Sequence, residues 1–320
     1  MVSLWRVSDF SHSQAMLQAH KILNMTTQSI GIIGATSLVG QCLIQQGIAQ
    51  KHHIIAFSRR LFTNQNQSYV TWQQLPPATQ KETDCDKNKI LSWICAAPIW
   101  VLPGYFDFLL TFKPQRMIVL SSTSRFTKQN SCDLNEQAVA QKLADSEALL
   151  ESWANLHGIE WIILRPTLIY GYGQDKNVAE ITRFIHRYGF FPILGKASGL
   201  RQPIHSDDVA TACFLALWKR NLNNLAYNIT GGETLSYRQM VERIFRTLNY
   251  TPRIISLPLW IFHIATRLLK RLPRFQHWNA SMATRMNEDL VFDNSEAKCD
   301  LHFSPKSFML EMKDLPSQNL

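Results

Sequence analysis

The sequence predicts an α/β fold, a doubly wound parallel sheet with a smaller C-terminal capping lobe. Three observations predict it. A glycine-rich turn at residues 34–40 joins an apolar run to a helical pattern. Strand and helix signals then alternate as far as residue 164. No internal repeat, low-complexity tract or flexible linker divides the 320 residues. Such alternation produces right-handed βαβ crossovers, and hence a parallel sheet covered by helices.

The first element is the apolar run Ile30-Gly31-Ile32-Ile33. It passes through Gly34-Ala35-Thr36-Ser37 into a pattern of period near 3.6 at Leu38, Val39, Cys42 and Leu43. Small residues let a backbone approach a pyrophosphate, and free N–H groups at a helix N-terminus hold the anion. The spacing Gly34-x-x-Ser37-x-x-Gly40 therefore marks a dinucleotide-binding turn, with Ser37 in place of the usual middle glycine. Gly34, Thr36, Ser37, Leu38 and Gly40 are its candidate contacts. The next apolar run, residues 53–57, ends in Ser58-Arg59-Arg60. An NAD site places an acid about here for the ribose 2′-hydroxyl. Two guanidinium groups suit a 2′-phosphate instead, so Arg59 and Arg60 point to NADP, with NAD as the alternative.

Composition agrees with a soluble, enzyme-like domain. A chain of this length with 46% hydrophobic residues can bury a sizeable core. The net charge of +9 suits anionic ligands, but no Lys/Arg cluster interleaved with aromatics suggests nucleic acid. The six cysteines (Cys42, Cys85, Cys95, Cys132, Cys213 and Cys299) have no C-x-x-C spacing. That speaks against a metal site or a disulfide framework, and for a reducing, cytoplasmic setting. Residues 1–28 read as a polar leader without a secretory signal, and Met25 leaves a later start open.

Strands are expected over residues 91–98, 116–120 and 161–164, and a long helix over 136–156 with Val139, Leu143, Leu150 and Trp153 near one face. Ligands of such sheets lie beyond the carboxyl ends of the strands, where Ser37, Arg59, Ala97, Ser122 and Arg165 all fall. The second half is less regular. Helices are expected at 178–188, 208–218 and 237–248, with a strand at 193–194. The dinucleotide domain is drawn as 29–170 with 205–232 returning to it, and the capping lobe as 171–204 and 233–320. Residues 255–274 read as a helix with a basic end. It would pack as a lid on the lobe, the alternative being a helix lying in a membrane interface.

In order, the glycine turn, Val119-Leu120-Ser121-Ser122-Thr123, Leu164-Arg165-Pro166-Thr167-Leu168-Ile169-Tyr170-Gly171, Arg201-Gln202-Pro203-Ile204-His205-Ser206-Asp207-Asp208-Val209 and Tyr227-Asn228-Ile229-Thr230-Gly231-Gly232 resemble the motifs of the NAD(P)-dependent epimerase/dehydratase family. That family is the extended branch of the short-chain dehydrogenase/reductases. The resemblance covers residues 29 to about 305 and implies a Rossmann-type sheet. It implies that Ala96, Ala97 and Ser121 lie along the cofactor and that Pro166 and Thr167 flank the nicotinamide. Ser122 matches the catalytic Ser/Thr, with Thr123 its substitute. Arg201 matches an arginine that clamps a substrate diphosphate, and Arg165, Tyr170 and His205 fall among the substrate contacts. For Arg201 and His205, a surface ion pair and a satisfied histidine are the structural alternatives.

One departure weighs against ordinary chemistry. The family's proton-transfer pair is Tyr-x-x-x-Lys on the long helix. Aligned on Glu147-Ala148-Leu149-Leu150, those positions hold Val139 and Leu143. A one-residue slip gives Ala138 and Lys142, which supplies the lysine alone. No tyrosine lies between Tyr105 and Tyr170. The family's substrate-contacting asparagine is Leu168. Glu147 is expected exposed or paired with Lys142, with a general-base role as the alternative, and Lys128 is a second basic candidate. The resemblance thus implies an atypical member. It would be an NADP-binding oxidoreductase acting on a nucleotide-linked or phosphorylated sugar-like substrate, or else a non-catalytic NADP-binding sensor or scaffold. A homodimer is compatible with both.

Overall fold

A computed structural model describes residues 29–60, 68–78, 89–258 and 285–316. The 1–28 leader lies outside them. Seven parallel strands form the central sheet: β1 (Ile30–Ile33), β2 (Ile54–Ser58), β3 (Val70–Gln74), β4 (Ser92–Cys95), β5 (Arg116–Leu120), β6 (Glu160–Pro166) and β7 (Leu225–Ile229). Their order is β7-β6-β5-β4-β1-β2-β3. The doubly wound parallel sheet is as the sequence predicts. Strand order reverses between β1 and β4, and their carboxyl ends open a crevice there, where ligands of such sheets bind.

Period-two alternation along each strand builds two cores. Ile30, Ile32, Ile54, Ala56, Ile94, Ile118 and Ile162 face one side, while Ile33, Phe57, Trp93, Met117, Val119 and Ile163 face the other. Both faces are covered, so the strands read as continuous apolar runs rather than alternating ones. Helices α1 (Leu38–Ala49) and α4 (Ser206–Trp218) cover the first face. The second is covered by α2 (Leu134–Leu156) and a 3-10 turn at Ile99–Tyr105. Edge strand β3 was not expected from the sequence. Its burial pattern is buried at Val70 and mostly exposed thereafter, so it carries little apolar signal.

A third core lies beyond the sheet. There α3 (Val178–Tyr188) and α5 (Tyr237–Thr247) enclose Tyr170, Ile185, Phe191, Met240, Phe245 and Phe308. A capping box holds the start of α5, where Ser236 and Gln239 satisfy each other's backbone N–H groups. Ile254–Leu257 is a strand paired in parallel with Phe191–Leu194. This corrects the helix expected from residue 255, because pairing with a neighbouring strand overrides the local helical spacing. Residues 259–274 of that expectation lie outside the described residues. Among the described residues, no helix is long and apolar enough to cross a membrane. The helix Ser295–Leu301 places Ala297, Leu301 and Phe303 in the sheet-side core, so the lobe boundary at 233–320 does not hold for these residues.

Arg116, fully buried at the start of β5, ties the sheet to α4. Its guanidinium donates to Glu160 at 2.5 Å and to the carbonyls of Ala216, Lys219 and Leu222 at 2.8, 2.9 and 2.7 Å. Removing it takes a donor from each of these acceptors, of which the Lys219 carbonyl keeps the Leu222 N–H at 3.1 Å. Arg116→Met should therefore lower unfolding stability by about 3 kcal/mol, read as a shift in the urea midpoint. A loss under about 1 kcal/mol would show that water takes over the guanidinium's role.

Candidate functional site

The crevice starts at the turn after β1. Gly34 has φ of +81°, and a Cβ there would lie 2.4 Å from the Ala97 amide nitrogen. A Cβ on Gly40 would lie 2.2 Å from the Gly34 carbonyl oxygen. Any side chain at either position opens the turn. Ser37 caps α1 by accepting from the Gly40 N–H at 3.0 Å, and its hydroxyl donates to the Ala96 carbonyl at 3.2 Å. The serine thus joins the β1 turn to the end of β4. A helix's first-turn N–H groups have no intrahelical partner; the cap takes that of Gly40, and those of Leu38 and Val39 are left at the mouth. Thr36 is exposed beside them. Arg59 and Arg60 are exposed at the end of β2, and neither makes an ion pair among the described residues.

A second region, a cavity of about 400 Å³, lies past the ends of β5 and β6. Ser122, Thr123, Thr127, Lys128, Thr167, Arg201 and Arg285 contribute to its lining. Ser122 accepts from the Ser124 N–H at 3.1 Å, at the start of a short helical turn. Thr123 is buried and donates to the Pro166 carbonyl at 3.2 Å. Thr167 donates to the Gln202 carbonyl at 2.5 Å. Among the described residues no carboxylate lines this cavity. Glu136, close by, pairs with Lys128 at 4.0 Å and Arg285 at 3.0 Å.

Glu147 corrects the sequence reading most sharply. It is 0% exposed, while Lys142 lies over the Trp100 ring instead. It accepts from Ser121 at 2.5 Å, from the Arg165 guanidinium at 2.6 Å and from Arg125. Burial alone would raise its pKa. Hydrogen bonds from Arg165 and Ser121, with the charges of Arg165 and Arg125, outweigh burial and hold the carboxyl below the ordinary range. It is a buried carboxylate, not a general base. Arg165, expected at the substrate, is instead its bidentate partner and stacks 5.4 Å from the Phe126 ring.

Three further expectations change in the same way. Arg201 is 4% exposed, and its guanidinium donates to the carbonyls of Leu200 and Glu288 at 2.7 Å and to that of Arg285. It borders the cavity but is neither a free clamp nor a surface ion pair. His205 is buried; its Nδ1 accepts from the Asp207 N–H at 3.1 Å, which leaves the proton on Nε2 to donate to Asp314 at 3.0 Å. It is a satisfied histidine capping α4. Tyr170 is a core residue, packed on His205 and Phe308, with its hydroxyl donating to the Met309 carbonyl at 3.4 Å. Burial pushes its pKa up, followed by the charges of Asp314 and Asp208. Lys142 is exposed on α2, its Nζ 5.2 Å from the Trp100 ring centre, and does not line the cavity. Val139 and Leu143 pack into the second core. The signal that sequence reading missed was Glu136, a first-turn glutamate whose cationic partners come from two distant segments.

With this geometry in place, similarity to known proteins can be read. Residues 107–230 match the NAD dependent epimerase/dehydratase family. The resemblance carried by the motifs therefore holds. An uncharacterised protein of Sinorhizobium fredii is 25% identical over 202 residues, 60% of this chain and 50% of that protein. Subunit 9 of the NADH dehydrogenase 1 alpha subcomplex of Arabidopsis thaliana is 26% identical over 51% of this chain and 42% of that protein. The chain thus spans about half the length of the curated relatives it matches. In solved structures, UDP-glucose 4-epimerase of Thermotoga maritima superposes with a TM-score of 0.62 at 15% identity, over 90% of this chain and 96% of that one. MoeE5, in complex with UDP-glucose and NAD, gives 0.64 at 17%, over 88% and 94%. At these identities the structures show the shared fold.

Replacing Glu147 tests the buried network. Because its carboxyl titrates below its unfolded value, its contribution is fully present above about pH 4.3 and is lost as pH falls through the lower folded value. Glu147→Gln should lose about 3 kcal/mol at pH 7 and show a flatter acid-stability profile than the unmodified chain. Matching urea midpoints and acid profiles would mean that the network contributes nothing.

Proposed function

We propose that this chain binds a nicotinamide dinucleotide at the β1–β4 crevice, NADP in preference to NAD. We read it as an epimerase/dehydratase-like oxidoreductase of atypical mechanism, acting on a small phosphorylated or nucleotide-linked, sugar-like substrate. The observation that carries the cofactor is the turn itself. Gly34 and Gly40 leave no room for a Cβ, and α1 presents its first N–H groups at that mouth. The residues fit the group: Gly34, Ser37 and Leu38 border the pyrophosphate, and Arg59 and Arg60 meet the 2′-phosphate. Ala96, Ala97, Ser121 and Pro166 flank the path towards Thr167. When bound, the nicotinamide would accept or deliver a hydride.

The substrate end rests on the cavity past Ser122. Three basic residues among its lining, Lys128, Arg201 and Arg285, favour an anionic ligand. Ser122 is the half-buried hydroxyl able to orient a substrate oxygen there. Arg201 is held on backbone carbonyls and Arg285 lies 3.0 Å from Glu136, whereas Lys128 stands 4.0 Å from that carboxylate, so Lys128 is the candidate to hold charge or move a proton beside Ser122. A curated relative from Vibrio cholerae, 20% identical over 52% of this chain, is a UDP-glucose 4-epimerase, which supports the sugar-like class.

A second reading, a non-catalytic NADP-binding sensor or scaffold, is favoured by α2. Aligned on Glu147, the expected positions of the proton-transfer pair hold Val139 and Leu143, which pack into the second core; a one-residue slip would supply Lys142 but no tyrosine. The relative from Arabidopsis thaliana that is a subunit of a larger assembly agrees with it.

NADP(H) should bind about ten- to a hundredfold more tightly than NAD(H), since a hydrogen bond to a charged group contributes about 1.5–3 kcal/mol. Arg59→Asp should remove most of that difference; equal calorimetric affinities in the unmodified chain would refute the cofactor choice. Turnover separates the two readings. On common nucleotide sugars we expect NADP(H) absorbance to change slowly, because a positioned acid/base group is worth about 10²–10⁴-fold. Ser122→Ala should abolish that rate with cofactor affinity kept. No absorbance change with any sugar phosphate or nucleotide sugar would leave the binding role standing alone.

A further inference from the structure

The Ser122 cavity has a neighbour of opposite character. A cavity of about 240 Å³ in the lobe is lined by Phe184, Phe191, Leu194, Met240, Leu257 and Met286, with Lys176 and Glu180 as its charged residues. Leu168 and Asn177 line both cavities. The chain also divides between them at one step, with Arg285 lining the polar space and its neighbour Met286 the apolar one. Leu168 itself packs against the lobe core, so an apolar side chain stands where the two spaces meet.

Resting on the anionic-substrate reading above, we propose that the two cavities form one bipartite site for an amphiphilic phosphate. Its charged head lies against Lys128 and Arg285, and its hydrocarbon tail passes Leu168 into the lobe. Void apolar space forfeits dispersion contacts that a ligand restores. An apolar cavity of about 150 Å³ already holds benzene, so the lobe cavity takes a ring or a short chain of carbons. A sugar phosphate fills the polar space alone and leaves the apolar one without an occupant. The substrate class that uses both is a phosphate ester or nucleotide conjugate bearing an alkyl, acyl or isoprenoid group.

The test is calorimetric titration of the NADP-loaded full chain with methyl, butyl, hexyl and octyl phosphate. Affinity should climb about fourfold per added methylene and then level off once the cavity is full. Met240→Trp fills the lobe cavity and should flatten this dependence while methyl phosphate and NADP bind as before. Leu168→Asn, which keeps the branching and heavy-atom count of the side chain while making it polar, should also reduce the slope and covers the case in which the tryptophan variant fails to fold. Methyl phosphate binding with no dependence on chain length would overturn the bipartite site and leave the anionic reading intact. An unchanged slope in both variants would overturn it as well. Failure of every phosphate, methyl included, would remove both readings.

Discussion

A carboxylate with no access to water has to be neutralised where it stands, and the site is arranged around that requirement. Glu147, on α2, sits at 0% exposure against Ser121 and Arg165 at the ends of β5 and β6. It draws Arg165 and Arg125 inward and fixes Ser121 at 2.5 Å. The ends of the two strands that frame the Ser122 cavity are thereby locked to α2. The same bonds remove Arg165 from the ligand side, so the basic character of the cavity comes from Lys128, Arg201 and Arg285 instead. Ordering these long side chains within the fold avoids the entropy that free cations would lose on binding.

The β1–β4 crevice, at the same carboxyl edge of the sheet, is built without charge. Close approach at Gly34 and Gly40 brings the β1 turn against Ala96 and Ala97, and Ser37 closes the seam with one bond in each direction. A serine in the middle position therefore does what a glycine could not. It satisfies one helix N–H itself and leaves the flanking ones outward. The first anion contact available is backbone, and Arg59 and Arg60 stand exposed at the next strand end.

Much of this was legible because it is local. The glycine turn, the strand at Arg116–Leu120, the helix Val178–Tyr188 and the arginine pair are contiguous in the chain, and periodicity or turn chemistry reveals them. What was not legible depends on distant partners. The histidine at 205 is satisfied by Asp314, Tyr170 by Met309, and Arg201 by carbonyls at 285 and 288. All of these partners come from the last described segment, which no motif announced. Glu147 looked like a solvent-facing helix residue because its two arginines lie 22 and 18 positions away. Strand β3 and Ile254–Leu257 were missed for a related reason, since their short, half-exposed patterns take their form from the strands beside them.

The central claim is that the β1–β4 crevice holds NADP, with the phosphates on backbone and the 2′-phosphate on arginine. A crystal structure of the chain grown with NADP tests it most directly. The account predicts the pyrophosphate at the N-terminus of α1, against Gly34 and Leu38, and the 2′-phosphate within hydrogen-bond distance of Arg59 or Arg60. A dinucleotide bound elsewhere, or bound here with its 2′-phosphate turned away from both arginines, would contradict it.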